Sequence, residues 1–255
     1  MLSANESYER SAQNIEVLTG IAVSHSTQQR LVHRHDFPEP VIAETVSEMS
    51  LDGGKVRLRT PLGEPCTWKD YKAIRLHDLI TMAYFRDNPG LIDWVNRQTL
   101  NTPFFALGDG HDGIWNVFAE IGPSEHRHEI LDWFHLMENL HKVPGSLKRL
   151  QQVEDFLWKG NVNAAIEQFE GCHSKEAQRF VVYLNKHRTR IPNYEYLHQE
   201  GFSIGSGEVE SAIKQIGRRV KISGAQWNAK NVPQLLKHRC AYLNAYFSPT
   251  PHPIQ

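Results

Sequence analysis

Glu208 and Glu210 stand two positions apart in SIGSGEVESAIKQIGRRVK (203–221), behind a glycine-serine-glycine turn and ahead of a strongly basic half-helix. At about 100° per residue, Val209, Ile213, Ile216 and Val220 form one apolar stripe, with an acid about 100° to either side of it. Periodicity alone does not choose between the two. Gly217 leaves space near the flank of Glu210, while Arg219 lies on the flank of Glu208. That favours Glu210 as the open acid and Glu208 as a salt-bridged surface residue. Both gain from the positive end of the helix dipole, which is the ordinary reason for acids at this place. Asp109 follows the apolar run FFAL inside GDG, where a core strand opens toward ligand, with Asp112 as a nearby rival. Asp52 precedes Gly53-Gly54, and its ordinary role is to make turn hydrogen bonds. Acids at the end of one strand, the end of a later strand and the start of a late helix can hold two magnesium ions roughly 4 Å apart. Carboxylates suit magnesium, a hard cation that keeps water and phosphate in its shell.

The stretch HRHEILDWFHLMENLH raises zinc as a second chemistry. His128, Asp132 and His135 would share a face on one continuous helix. The HExxH pattern is absent, and if EILDWF is a strand the spacing argument fails.

These residues need elements to position them. SYERSAQNIEVLTG reads as a helix with Ala12, Ile15, Val17 and Leu18 on its apolar side, ending at Gly20. VSHSTQQRLVHR restarts behind Ser24 or Ser26, and Ser26 with Gln29 fits a capping box. Helix, turn and polar helix (Gln28, Gln29, Arg30, His33, Arg34) outline a helix-turn-helix, as any small helical hairpin would. From Val46 the period becomes two: MSLDGGKVRLRT reads as a hairpin turning at Gly53-Gly54, and WKDYKAIRLHDL as the next strand, with Tyr71, Ala73 and Arg75 on one face. LIDWVNRQTL is an amphipathic helix, PFFALGDG a short buried strand, and HEILDWFHLMENLHKV a strand running into a helix. Residues 145–200 read as wholly helical, and the tail SPTPHPIQ is Pro-rich.

Apolar residues make up 40 % of the 255-residue chain and charged residues 22 %, ordinary values for a globular protein with a real core. No apolar run is long enough to span a bilayer and the N-terminus does not read as a secretory signal. Cys66, Cys172 and Cys240 lie far apart and read as reduced thiols of a cytoplasmic protein. The net charge of -1 hides a gradient, from -7 over residues 1–144 through +1 over 145–200 to +5 over 201–255. A basic last third suits a polyanion partner, although a solvated helix face looks similar.

At these residues the sequence resembles the DDE transposases of bacterial insertion sequences, specifically the ISKra group related to Mutator-type enzymes. The resemblance lies in LDGGKVRLRTPLGEPCTWKDYKAIRLH, GDGHDGIWN, ILDWFHLMENL, GSGEVESAIKQIGRRVKISGAQW and LLKHRCAYLNAYF, which span most of residues 46–247. EVLTGIAVSHSTQQRLVHR resembles the end of that family's DNA-binding region. The resemblance implies catalytic, metal-holding acids at Asp52, Asp109 and Glu210, served by two Mg2+ ions for which Mn2+ substitutes. It places Asp132 and His135 near the transferred strand, outside the ligand set. It implies DNA contacts from Gln28, Gln29, Arg30 and Arg34 and from Lys214, Arg218, Arg219, Lys221 and Trp227. The implied fold is α/β: an RNase H-like mixed sheet flanked by helices, with an all-helical insertion before the last catalytic helix and a short N-terminal helix-turn-helix. The implied organisation is a DNA-binding segment and linker at 1–40, catalytic domain at 41–143, insertion at 144–200, and the rest of the catalytic domain with basic helices at 201–255. The partners would be terminal inverted repeats and target DNA, bound by a homo-oligomer at the bacterial nucleoid, with no membrane. Two departures stand beside this: relatives carry a longer N-terminal region, so the chain reads as truncated or as part of a split frame, and GHDGI at 110–114 is looser than the family pattern. The alternatives are a remnant that binds terminal repeats without cutting them, and an RNase H-like nuclease without strand transfer.

Overall fold

The computed structural model describes residues 1–77 and 79–247; the Pro-rich tail at 248–255 lies outside the described residues. The fold is α/β, with a five-stranded mixed sheet in the order β3-β2-β1-β4-β5 flanked by helices. The strands are β1 (Val46–Leu58), β2 (Thr67–Leu76), β3 (Ile80–Phe85), β4 (Leu100–Gly108) and β5 (Arg127–Leu131). β2 and β3 are antiparallel, whereas β4 and β5 are parallel. The chain divides into two compact units, one of Met1–Val46, Leu51–Leu100 and Glu208–Gln255, the other of Ser47–Ser50 and Asn101–Gly207.

In the first unit β1 runs straight through Asp52, Gly53 and Gly54, so the expected hairpin turn at the glycine pair is not there. Gly54 serves a close approach instead: a Cβ on it would lie 2.3 Å from Cζ of the Tyr71 ring on β2. A strand glycine can mark such an approach as well as a turn. The hairpin lies one step later, where β2 returns as β3 with Leu76 opposite Ile80 and Tyr71 opposite Phe85. β3 (ITMAYF) is a nearly continuous apolar run without the alternation that marks a half-exposed strand, so a period of two does not reveal it.

Helix α1 (Tyr8–Thr19) is capped by Ser7 and stops at Gly20 in the left-handed region, as read from sequence. Helix α2 (His25–Arg34) is capped by Ser24, whose hydroxyl accepts the Thr27 amide; Ser26 does not serve as the cap. Of the expected apolar side of α1, Val17 and Leu18 are exposed. Helix α3 (Asn88–Asn96) starts at Asp87, which accepts the Gly90 amide, and buries Leu91, Ile92, Trp94 and Val95. The second unit carries α4 (Asp112–Phe118), α5 (Trp133–His141), α6 (Leu147–Trp158), α7 (Val162–Glu167), α8 (Lys175–Lys186) and α9 (Tyr194–Gln199), so residues 145–200 are helical as expected.

Helices α10 (Gly207–Val220) and α11 (Val232–Leu243) follow, and α11 packs on β3. Two buried arginines fasten them within the first unit. Arg239 donates from Nε and Nη2 to the Gln215 carbonyl and from Nη1 to the Ala4 carbonyl. Arg219 donates from Nε to the Ser3 carbonyl at 2.7 Å, its guanidinium over the rings of Tyr8 and Trp227. Among the described residues no helix is long and apolar enough to cross a membrane.

Candidate active site

Parallel pairing of β4 and β5 sets Gly108 opposite Leu131, so Asp109 and Asp132 are the first residues past two adjacent strand ends. The Asp132 amide donates to the Gly108 carbonyl at 2.9 Å, extending the ladder by one bond and fixing the two acids at one level. Carboxyl ends of parallel strands are where α/β sheets open to ligands. Asp109 is half-buried and its Oδ1 accepts the His111 amide at 2.8 Å. The rival acid Asp112 is exposed and paired with Lys186 at 2.5 Å; that hydrogen bond and charge hold its carboxyl below the ordinary range.

Asp132 is fully buried, 0 % exposed, at the N-terminus of α5. Its Oδ1 accepts the His135 amide at 2.6 Å and faces His135 Nδ1 at 3.1 Å. Its Oδ2 accepts both the Ser206 amide and the Ser206 hydroxyl, the latter at 2.7 Å. Burial acts to raise the Asp132 pKa, but the bonds from His135 and Ser206 outweigh it and hold the carboxyl below its ordinary value. Asp132 is therefore an anion at neutral pH. Phe134 explains part of the GSG turn: a Cβ on Gly205 would sit 2.5 Å from its ring. Without a side chain there, the turn can bring Ser206 onto Asp132.

Tyr183 of α8 reaches the same place, its hydroxyl against Gly110. Burial, then the charges of Asp109 and Asp132, push its pKa well up, so it remains a protonated phenol. Neither Ser206 nor Tyr183 was singled out from the sequence. Ser206 carried a signal, since a serine directly before a helix needs a partner for its hydroxyl; Tyr183, amid a helical stretch, carried none.

The helix-spacing argument for zinc fails. His128 belongs to β5 and lies beside the Phe105 ring at 5.5 Å, while Asp132 and His135 belong to the start of α5.

In the first unit Asp52 is half-buried within β1, where its Oδ1 accepts the Gly53 amide. It is thus mid-strand, not at a strand end as expected. On α10, Glu208 is 59 % exposed and lies 3.8 Å from Arg75, a partner other than Arg219. Glu210, expected as the open acid, is the less exposed of the two at 31 % and pairs with Lys214 one turn on at 3.7 Å, so both acids are salt-bridged. Lys214, Arg218 and Lys221 face solvent, but Arg219 is 1 % exposed and does not. Trp227 is half-buried: its Nε1 donates to the Val220 carbonyl and its backbone exchanges bonds with Arg57 and Arg59 beside β1. Gln29, Arg30 and Arg34 of α2 are exposed, whereas Gln28 turns inward and accepts the Ser11 hydroxyl at 2.6 Å. Comparison with known proteins gives no matching family model and no matching curated protein.

Proposed function

We propose that the chain is a DDE transposase of bacterial insertion sequences with an RNase H-like catalytic fold, cutting and joining DNA strands at the element's ends. One observation carries the reading: three separate sequence blocks meet at Asp132. GDG supplies Asp109 at the same level, DWFH supplies Asp132 and His135, and GSG supplies the Ser206 clamp. The mixed five-stranded sheet and the helices of residues 147–199 are compatible with that fold and its helical insertion.

In this reading Asp52, Asp109 and Glu210 hold the magnesium ions, and their hard carboxylate oxygens fit that cation. The ions supply charge neutralisation at the scissile phosphate and Lewis acidity. The chain's own part is positioning. Asp132 stays ionised and holds both the amide and the hydroxyl of Ser206 in the GSG turn. The exposed Lys214, Arg218 and Lys221 bind phosphate, and Gln29, Arg30 and Arg34 of α2 contact the terminal repeat.

The test is incubation with inverted-repeat DNA and magnesium, scored for nicked and joined products. Joined products support a transposase. Nicks without joining leave a nuclease, and binding without either leaves a remnant.

A further inference from the structure

β2 outruns its partner. Pairing with β3 ends at Tyr71 and Phe85, so Thr67–Asp70 continue past the end of β3. The chain leaves β3 through Arg86, at φ 53, and enters α3 at Asn88 and Pro89. Between these segments, within the first unit, is a cleft of about 420 Å³ lined by Lys69, Lys72, Arg86 and Asp70 together with Asn88 and Pro89. Among the described residues, Lys69, Lys72 and Arg86 form no ion pair. Elsewhere in the same unit cations do pair with acids, as Arg75 with Glu208 and Arg97 with Glu39.

Three cations against one acid around one concavity repel one another, and the low-dielectric walls concentrate their field. An anion relieves that repulsion. The charged side chains of the lining, which also includes Tyr71, and the flanking backbone of Thr67–Asp70, which has no β3 partner, suit phosphodiester oxygens better than an apolar ligand. We infer that this notch binds the sugar-phosphate backbone of DNA, as a contact separate from the exposed cations of α10. The inference rests on the transposase reading for the identity of the polyanion. Its contacts carry no base information, because phosphate contacts fix position and leave sequence unread.

The experiment measures binding of the full chain to repeat-containing and random duplex DNA across a salt series. The wild type is compared with Lys69→Gln/Lys72→Gln/Arg86→Gln, which keeps the side-chain stems and removes the charge, and with Lys69→Glu/Lys72→Glu/Arg86→Glu. Each phosphate contact contributes about 0.9 to the slope of log affinity against log salt. The glutamine triple should flatten the slope by about two to three units, with equal losses on both duplexes. The glutamate triple should weaken binding further. Variants that melt like the wild type and bind DNA with its slope and affinity would overturn the notch and leave the transposase reading standing. A wild type with no salt-dependent DNA binding would overturn both.

Discussion

At Asp132 burial and hydrogen bonding oppose each other, and hydrogen bonding wins. Its folded pKa lies below the unfolded value, so its contribution to stability is complete above the ordinary carboxylate range. That contribution is lost as pH falls through the folded value. Asp132→Asn should therefore lower stability at neutral pH and remove part of the acid-induced loss below about pH 4, read by thermal melting across a pH series. Ser206→Ala removes one bond to a charged acceptor and should cost about 1.5–3 kcal/mol, measurable by denaturant unfolding. Arg219 and Arg218 are sequence neighbours with opposite fates. Arg219→Ala should destabilise the fold, since it removes a buried cation bonded to Ser3, whereas Arg218→Ala should leave the melting temperature unchanged and weaken DNA binding. Sequence periodicity placed Glu208 and Glu210 on opposite flanks, and the structure pairs both, Glu208 with Arg75 and Glu210 with Lys214. Periodicity did not find Arg75 as the partner, because that contact joins α10 to a distant strand.

Among the elements, β1 shows how one residue type serves two geometries. Gly53-Gly54 after Asp52 reads as a turn, yet both lie in an extended strand, and only the Tyr71 ring beside Gly54 explains the second glycine. A ring arriving from another strand leaves no local trace. Gly54→Ala should cost about 1–3 kcal/mol through overpacking, while Gly53→Ala, with its nearest neighbour at 3.9 Å, should be far milder. Chemical denaturation of the two variants gives the comparison, and equal losses would remove the close-approach account. Where a pattern was local it was legible: the strand running into a helix within HEILDWFHLMENLHKV, the stop at Gly20 and the helical spacing of Leu147, Leu150, Val153 and Leu157 all appear in the structure, though the sequence did not place the switch at Asp132. Near α8 and in α11, His187 and His238 are held neutral mainly by burial, with pKa values lowered to about 4 and about 3. The unfolded chain therefore binds more protons from about pH 6.5 down to those values, and stability should fall with pH through that window. Replacing either histidine with glutamine should flatten the fall.

Across the whole molecule, acidity in the first 144 residues gives way to a charge of +5 over residues 201–255. In the account proposed here, Asp52, Asp109 and Glu210 hold cations for chemistry and the basic side chains hold phosphate, so binding and cutting should separate under mutation. Asp109→Asn and Glu210→Gln keep size and remove the negative charge. Glu208→Gln changes an exposed acid paired with Arg75 and serves as the control. The decisive measurement is magnesium-dependent nicking and joining of inverted-repeat DNA by the wild type and these three variants at matched DNA occupancy. The account predicts joined products from the wild type and from Glu208→Gln, and none from Asp109→Asn or Glu210→Gln while both still bind DNA. Normal cutting by Glu210→Gln with a dead Glu208→Gln, or cutting by all three, would contradict it.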